Sequence, residues 1–258
     1  MKETYKNYFG PRTAAERYAK GRPRFHAQVI KRIKGFLALE NSFDAALDVG
    51  CGTGLSSAAL KSISKRVVGI DISAAMVAQT ENKSDIEFLL AAAEDLPFEA
   101  GQFDLITISQ AIHWVDRERF FSEAGRVLKR NSIIIVYDNL FQGRMIDNPE
   151  FDDWYRTEFL EHFPVPPRGR RAFDRVSENP NDFVLKYEEF NKNTLEFSAE
   201  EMVDYLVTIS NVIAQVENGS QSIKEVYEWL TKNIKPFFNE NRKRFTFNNP
   251  IWYLQRSA

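Results

Sequence analysis

The chain has 258 residues, which suits one large α/β domain or a domain that carries a smaller insertion. Hydrophobic residues make up 43% of it and charged residues 27%, so a sizeable core can be buried. The 34 basic and 36 acidic residues give a formal charge of −2, without the basic excess on which nucleic-acid binding depends. Composition therefore disfavours a nucleic-acid partner.

The cysteine content and the N-terminal sequence bear on the compartment. The single cysteine, Cys51, cannot form an intramolecular disulfide, and no cluster of metal ligands surrounds it in sequence, so no metal is expected. The N-terminus lacks the apolar core of a secretory signal, and no apolar run approaches the roughly 20 residues needed to cross a bilayer. We expect a cytoplasmic protein without a membrane partner.

The N-terminal segment predicts helices over Arg12–Leu39, interrupted at Gly21-Arg-Pro23, where proline removes a backbone donor. After it, short apolar runs alternate with helical patterns, which is typical of βαβ units and a parallel sheet. Five strands are predicted, at Ala45–Val49, Val67–Ile70, Ile86–Leu90, Leu105–Ile108 and Ile133–Val136. Helices are predicted between them at Leu55–Ile63, Ala74–Thr80 and Arg117–Leu128.

The pattern changes after Tyr137. Residues 139–192 are rich in aromatic residues, arginine and proline and predict an inserted cap. A strand is predicted at Asn193–Phe197, followed by a helix that Ser198 caps while Glu201 reaches back to the Ser198 amide. A helix near Ser222–Asn233 and a closing strand or hairpin at Phe245–Gln255 are predicted after it.

The strongest motif is the segment Asp48–Gly54, where an apolar strand runs into Gly50, Gly52 and Gly54. Glycines allow a sharp turn and a close approach of the backbone to a ligand, and the helix that follows offers unpaired amides. In open α/β sheets, nucleotide ligands bind in this first crevice at the strand ends.

The spacing within this loop distinguishes two cofactors. A dinucleotide fingerprint requires Gly-x-Gly-x-x-Gly, but Leu55 occupies the position of its last glycine. The carboxylate of Asp48 would repel a pyrophosphate, whereas it could hold the ammonium group of an amino acid directly or through water. The pattern therefore favours a nucleoside with a methionine tail over NAD.

The second strand ends at Asp71, about 20 residues beyond the glycine loop, where a carboxylate can accept both ribose hydroxyls. Ser73 is interpreted as a helix cap. Met76 lies one turn further on, where its thioether either contacts adenine or packs in the core.

Four segments occur in the order seen in class I S-adenosylmethionine-dependent methyltransferases: Leu47-Asp-Val-Gly-Cys-Gly-Thr-Gly54, Val68-Gly-Ile-Asp71, Ala93-Glu-Asp-Leu-Pro-Phe98 and Phe103-Asp-Leu-Ile106. The chain resembles the type 11 branch of small-molecule methyltransferases, which includes those of ubiquinone biosynthesis. Tyr18-Ala-Lys-Gly-Arg-Pro23 and Ser109-Gln-Ala-Ile-His-Trp114 are similar to the trans-aconitate methyltransferase-like subgroup. The resemblance covers residues 10–137 well and the C-terminal half in outline.

The resemblance implies S-adenosylmethionine as cofactor and assigns positions around it. Asp48, Gly50, Gly52 and Gly54 are placed at the methionine moiety, Asp71 at the ribose, Ala93 and Glu94 at the adenine, and Ser109 and Gln110 beside the sulfonium and amino group. The predicted cofactor-binding residues also include Cys51, Ile72 and Met76. Tyr18 and Arg22 lie on the N-terminal segment that folds over the cofactor in relatives, where they contact either the methionine carboxylate or the substrate. The chain departs from many relatives at Ala92, where they carry an aspartate for the adenine amino group, and at Arg130-Asn-Ser132, where they carry Pro-Gly-Gly.

Acceptor-site candidates lie after the fourth strand and in the cap. His113 is the catalytic candidate, because imidazole can act as a base or a hydrogen-bond donor near neutral pH; a purely structural histidine is the alternative. Trp114 is interpreted as a pocket wall or core residue. Trp154 and Tyr155 either line an apolar pocket or pack the cap, and Arg168 either binds a carboxylate or is solvated.

These observations predict a single methyltransferase domain over residues 1–258, with an N-terminal lid (1–40), a cofactor-binding core (41–138), a cap insertion (139–192) and C-terminal strands and helices (193–258). The predicted fold is a Rossmann-like α/β sheet of seven mostly parallel strands flanked by helices, with a helical cap after strand 5. Two strands of the C-terminal half, one of them antiparallel, complete the sheet.

The predicted reaction is transfer of a methyl group to a small molecule, foremost to an oxygen of a carboxylic acid. A non-catalytic S-adenosylmethionine-binding module and a nicotinamide-dependent oxidoreductase are the alternatives, and an RNA methyltransferase is disfavoured by the charge. The sequence leaves the acceptor and the oligomeric state open.

Overall fold

A computed structural model of the chain describes residues 9–80, 85–166 and 183–256. The described residues form two compact units. We call the first the sheet unit (residues 24–80, 85–138, 183–191 and 250–256) and the second the helical unit (residues 9–23, 139–166 and 192–249). The predicted division into lid, core, cap and C-terminal part stays a prediction.

One sheet contains the strands of the described residues, in the order β3-β2-β1-β4-β5-β8-β6, with β7 paired to β8. The strands are β1 (Phe43–Val49), β2 (Ser64–Asp71), β3 (Ile86–Leu90), β4 (Phe103–Ser109), β5 (Leu128–Tyr137), β6 (Leu140–Met145), β7 (Phe183–Phe197) and β8 (Lys243–Arg256). Strands β1 to β5 are parallel, as predicted, and β8 runs antiparallel to β5. The mostly parallel α/β sheet is therefore confirmed, with eight strands in the described residues instead of seven.

The order of the strands places a crevice at one edge of the sheet. The chain moves outward from β1 to β2 and β3, then returns to the other side of β1 with β4. Such a reversal is the point at which α/β sheets bind ligands, outside the carboxyl ends of the strands. Within the register, Asp48 of β1 pairs with Gly69 of β2 and Thr107 of β4, and Asp71 of β2 pairs with Leu90 of β3.

The predicted helical cap over residues 139–192 is not confirmed, and parts of this segment belong to the sheet. Residues Leu140–Met145 form β6, which pairs with β8, because Gly143 and Met145 alternate with exposed neighbours as a strand requires. Strand β7 begins at Phe183, ten residues before the predicted strand, and more buried and more exposed positions alternate along part of it. Among the described residues of this region, helical structure is limited to residues 149–162.

The helices of the sheet unit are α2 (His26–Phe36), α3 (Leu55–Leu60), α4 (Ala74–Val77) and α5 (Arg117–Val127). Those of the helical unit are α1 (Arg12–Gly21), α6 (Pro149–Trp154), a π-helical turn (Tyr155–Phe159), α7 (Leu160–His162), α8 (Ala199–Leu206), α9 (Ser210–Glu217), α10 (Ile223–Ile234) and a 3-10 turn (Lys235–Phe237). Ser198 and Glu201 form the predicted capping box at the start of α8. None of the described helices is long and apolar enough to span a membrane.

Each unit has its own hydrophobic core. In the sheet unit, Leu47, Ile106 and Ile134 of the central strands pack with Phe120 and Val127 of α5, and all are fully buried. The core of the helical unit is rich in phenylalanine and includes Phe151, Phe159, Phe163, Phe245 and Phe247. Packing of this second core accounts for part of the high phenylalanine content.

Candidate cofactor and active site

The glycine loop follows β1 and turns back toward β2. Gly50, Gly52 and Gly54 all have positive φ angles, of 67°, 54° and 80°. The amide of Cys51 donates to the carbonyl of Ile70 at 2.9 Å, which fixes the start of the loop on β2. A Cβ at Gly50 would lie 2.5 Å from the Ala111 Cβ, so only glycine fits there.

The carboxylate of Asp48 lies beneath this loop and has no exposed surface. It accepts hydrogen bonds from the hydroxyls of Ser56 and Ser57, each at 2.6 Å, and from that of Thr107 at 2.9 Å. Burial raises the pKa of Asp48, and the hydroxyls act in the opposite direction. These hydroxyls use three of the roughly four acceptor positions of the carboxylate. The predicted contact of Asp48 with the cofactor ammonium, directly or through water, stays a prediction.

Asp71 is placed at the end of β2, as its predicted ribose-binding role requires. Its carboxylate accepts from the amide of Gly52 at 2.8 Å and from that of Ser73 at 2.8 Å. The first bond joins the glycine loop to the acidic strand end. Burial raises the pKa of Asp71, while these amides oppose the rise.

Side chains around the loop fit a ligand with one polar and one apolar end. The hydroxyls of Thr53 and Ser109 are buried and have no hydrogen-bond partner among the described residues. Buried polar atoms usually have a partner, so these two suit a polar ligand. In contrast, Ile72 and Leu90, at the ends of β2 and β3, are 66% and 60% exposed, which suits an apolar base. The residues present therefore fit a nucleoside that carries an amino-acid tail.

The segment after β4 carries the remaining candidates of this unit. Gln110 has a φ of 53°, an uncommon conformation for a residue other than glycine and one that concentrates at functional sites. The backbone amide of Gln110 donates to the carbonyl of Tyr137 at 3.0 Å. His113 and Trp114 follow, half-buried, with their ring centroids 5.0 Å apart. The catalytic role of His113 stays a prediction.

Three predicted adenine contacts have structural partners of their own. Met76 is 3% exposed, and its amide donates to the Ser73 hydroxyl in the cap of α4. Ala93 is buried against the core of the sheet unit. The carboxylate of Glu94 accepts from the amide of Asp116 at 2.7 Å and so ties its loop to the start of α5. Their contacts with adenine stay predictions.

The other predicted residues belong to the helical unit or lie outside the described residues. Tyr18 and Arg22 lie on α1 and directly after it. Trp154 is buried in the aromatic core, and Tyr155 stacks on Phe159 with ring centroids 4.8 Å apart. These contacts favour a role in core packing over substrate contact for Trp154 and Tyr155. Arg168 lies outside the described residues.

The sequence interpretation missed the hydroxyls that hold Asp48 and the exposed Leu90. The paired serines at positions 56 and 57, in the first turn after the glycine loop, are a signal that was available. Thr107 gave no such signal, because it lies 59 residues from Asp48 and reaches it only through the pairing of β1 with β4. Among the described residues, no group of three or more His, Cys, Asp or Glu side chains could hold a metal ion.

Cys51 should be unreactive in the folded protein. It is 4% exposed, and burial, reinforced by the charges of Asp48 and Asp71, raises the pKa of its thiol far above the usual range. A rise of one unit in the thiol pKa lowers the reactive thiolate fraction about tenfold. Labelling of Cys51 by Ellman's reagent at pH 8 should therefore be about a hundredfold slower, or more, than in urea-unfolded protein. Because Cys51 is the only cysteine, the signal is unambiguous. Equal rates would contradict the burial.

The chain matches proteins of known class in sequence and fold. Residues 47–136 match the family model described as a methyltransferase domain, Methyltransf_11. The chain is 31% identical over 179 residues to the ubiquinone/menaquinone biosynthesis C-methyltransferase UbiE of Citrifermentans bemidjiense, covering 65% of this chain and 70% of that protein. This identity over most of the relative decides against the nicotinamide-dependent alternative.

Two solved structures share the fold. A protein from Anaeromyxobacter dehalogenans described as a type II methyltransferase aligns with a TM-score of 0.66 at 22% identity, over 90% of this chain and 95% of that chain. Phosphoethanolamine N-methyltransferase 2 of Haemonchus contortus, in complex with phosphomonomethylethanolamine and S-adenosylhomocysteine, aligns with a TM-score of 0.55 at 14% identity, over 98% and 60% of the two chains. The glycine loop, the acidic end of β2 and the match to these proteins agree. The chain is a class I S-adenosylmethionine-dependent methyltransferase and belongs to the type 11 branch.

Proposed function

We propose that the enzyme transfers a methyl group to a carboxylate oxygen of a small organic acid, and that Arg22 holds a carboxylate of that acid. When bound, S-adenosylmethionine supplies an electrophilic methyl group whose leaving group is a neutral thioether. A carboxylate acceptor is already ionised at neutral pH, so the protein needs to position it and to exclude water more than to remove a proton.

The cofactor residues divide by the chemistry of their side chains. Asp71 would accept hydrogen bonds from the ribose hydroxyls, while Ile72 and Leu90 would cover the base with apolar surface that is now exposed. At the polar end, the hydroxyls of Thr53 and Ser109, which have no partner within the described part of the chain, would bond the amino-acid moiety. Asp48 would act through the loop it supports.

The observation that carries the acceptor proposal is the surroundings of Arg22. Its guanidinium lies over the ring of Tyr18, 4.5 Å from the centroid, and 5.5 Å from the ring centroid of Tyr205. One nitrogen donates to the carbonyl of Thr208 at 2.9 Å, while Nε is buried without a partner in the described residues. No carboxylate of the described residues forms an ion pair with it. Arg17, on the preceding helix α1, pairs with Glu217 at 2.6 Å.

An arginine in this setting is suited to bind an anion from outside the chain. Burial raises the pKa of Tyr205 to about 12, so its hydroxyl stays neutral and does not supply the counter-charge. A guanidinium that contacts two aromatic rings and donates to a carbonyl is restricted in orientation, which favours the two parallel hydrogen bonds of a carboxylate. Because a carboxylate acceptor is already ionised, the reaction would need no strong base, and the role we propose for His113 is that of a hydrogen-bond donor.

The test is a screen with a labelled methyl donor over small mono-, di- and tricarboxylic acids, phenols and amines. We expect label in an acid, released as volatile methanol by mild alkali, as a carboxylate methyl ester requires. Because a charge-assisted hydrogen bond contributes about 1.5–3 kcal/mol, Arg22→Met should raise KM for the acid about tenfold or more. The dissociation constant for S-adenosylhomocysteine should change little.

Arg12→Met is the matched control, since Arg12 begins the helix that Arg22 follows, has a side chain that is 84% exposed and pairs only with Glu16 in the described residues. Alkali-stable label in phenols or amines would contradict the carboxylate proposal. A rise in the S-adenosylhomocysteine dissociation constant, with KM for the acid unchanged, would assign Arg22 to the methionine carboxylate. Asp71→Ala should weaken S-adenosylhomocysteine in either case.

A further inference from the structure

The loop of residues 91–98 starts at the same edge of the sheet as Asp71. Leu90 pairs with Asp71 in the register of β2 and β3, and the amide of Ala91 donates to the Asp71 carbonyl at 3.1 Å. A nucleoside whose ribose is bound by Asp71, as proposed above, would therefore have this loop beside its base. The inference that follows rests on that cofactor assignment.

This loop has few side chains with which to recognise a base. The three residues after β3, Ala91, Ala92 and Ala93, are alanines. The next residue, Glu94, already directs its carboxylate to the amide of Asp116. Asp95, the other acidic residue of the loop, is exposed, and its charge acts on Arg126. Its amide donates to the Ala92 carbonyl at 3.3 Å. We therefore expect hydrogen bonds to the edge of the base to come from peptide groups of the loop, foremost the amides of Ala92 and Ala93. Peptide groups discriminate between bases only if the loop is held in one position.

Two charged residues of α5 hold the loop through its backbone. The Glu123 carboxylate accepts from the Leu96 amide at 2.8 Å, and the Arg126 guanidinium donates to the Leu96 carbonyl at 2.7 Å and to the Phe98 carbonyl at 2.5 Å. The backbone amide and the backbone carbonyl of Leu96 are thus both hydrogen-bonded to side chains of α5. The Leu96 side chain is 2% exposed in the core beneath.

Glu123 and Arg126 also bind each other, which fixes their orientation. Two nitrogens of Arg126 donate to the two oxygens of Glu123, at 2.6 and 2.9 Å. The hydrogen bond from Arg126 lowers the pKa of Glu123, so the carboxylate stays ionised and able to accept. A bidentate ion pair of this kind is more rigid than either side chain alone. Because α5 is anchored by Phe120 and Val127, the rigidity extends to the loop.

We propose that Glu123 and Arg126 are positioning residues that set the base specificity of the cofactor pocket, by fixing the peptide groups of residues 91–98 against the adenine ring. Neither residue needs to touch the cofactor. Their loss should reduce discrimination between adenine and other bases more than it reduces the general affinity for the cofactor.

The test compares two ligands by calorimetric titration of the full chain: S-adenosylhomocysteine and S-inosylhomocysteine, in which a carbonyl oxygen replaces the amino group of the base. A misplacement of about 1 Å can cost about a hundredfold, so a partial loosening in Arg126→Gln should lower the ratio of the two dissociation constants roughly tenfold. Arg126→Lys keeps the positive charge but loses the forked donors of the guanidinium, so it should lower the ratio of the two dissociation constants by a smaller factor. It replaces Arg126→Gln in the test if the glutamine variant fails to fold. Glu123→Gln should act in the same direction.

Glu87→Gln and Arg66→Gln are the matched controls, because these residues form an exposed ion pair between β2 and β3, 3.1 Å apart. An unchanged ratio in Arg126→Gln, or an equal fall in the controls, would overturn the proposal. If the wild type binds both ligands equally, base specificity is absent and the proposal fails while the cofactor assignment stands. If it binds neither, the cofactor assignment fails as well.

Discussion

Replacement of Gly54 by alanine is expected to abolish most cofactor binding and to destabilise the fold. Gly54 has a φ of 80°, in the left-handed region, which costs a residue with a Cβ about 1–2 kcal/mol. The added Cβ would also lie 2.8 Å from Cζ of Phe88 and 3.0 Å from Cε1. Overpacking of this kind costs about 1–3 kcal/mol, so the free energy of unfolding should fall by about 2–5 kcal/mol.

The edge of the Phe88 ring that meets Gly54 also lies against Gly69, where a Cβ would be 2.8 Å from Cδ1 of Phe88. We expect the glycine loop to shift away from this ring, and a shift of about 1 Å should weaken S-adenosylhomocysteine about a hundredfold. Calorimetric titration and urea unfolding measure the two effects.

Gly101→Ala provides the control for the backbone cost alone. Its φ is 68°, and a Cβ there would meet nothing within 4 Å, so it should lose about 1–2 kcal/mol of stability and bind the cofactor normally. Phe88→Leu in the Gly54→Ala background should restore part of the affinity. Normal cofactor affinity in Gly54→Ala alone would show that the glycine loop does not approach the ligand.

Asp48→Ala is expected to be the most destabilising single change in the site. It removes the acceptor of three buried hydroxyls, those of Ser56, Ser57 and Thr107. Each unsatisfied buried group costs about 1–3 kcal/mol, and relaxation should reduce the sum, so we expect a loss of about 3–5 kcal/mol in urea unfolding. Because Asp48 ties α3 to β1 and β4, cofactor affinity should fall as well.

Asp48→Asn separates shape from charge. The amide has nearly the same shape and can exchange hydrogen bonds with hydroxyls that rotate, so this variant should fold and be closer to the wild type in stability. Stability like that of the wild type in Asp48→Ala would show that the hydroxyls do not depend on the carboxylate.

The wild type and Asp48→Asn should differ in how the free energy of unfolding depends on pH. Burial raises the pKa of Asp48, so the folded state binds a proton more readily than the unfolded state between the ordinary value, about 4, and the raised one. The wild type should therefore lose stability relative to Asp48→Asn as pH rises through that window. Urea unfolding of both proteins from pH 4 to pH 7 measures the difference. A difference that grows in favour of the wild type would contradict a raised pKa.

The sequence by itself located the cofactor loop and the five parallel strands. Local constraints made this possible, since a strand that ends in Gly50, Gly52 and Gly54 can form only a few backbone turns. The acidic end of β2 was also predictable, because Asp71 follows an apolar strand at a fixed distance from that loop. Such features depend on residues close together in the chain.

The C-terminal half was harder to predict for a physical reason. Strand β6 lies within the predicted helical cap, and its strand structure depends on pairing with β8, about a hundred residues later in the chain. The short alternation in Leu140–Met145 was too weak a signal without that partner. The length of β7 was underestimated for the same reason.

The roles of individual polar groups were decided by the tertiary structure. Whether Asp48 faces a ligand or the interior depends on Thr107, which reaches it through strand pairing. The same holds for Arg22, whose surroundings include Tyr205 of α8 and Thr208 just after that helix, far along the chain. A sequence pattern specifies which groups are present and how the backbone turns locally. Whether a buried charge is already paired depends on groups brought together from distant parts of the chain, and only the folded structure shows that.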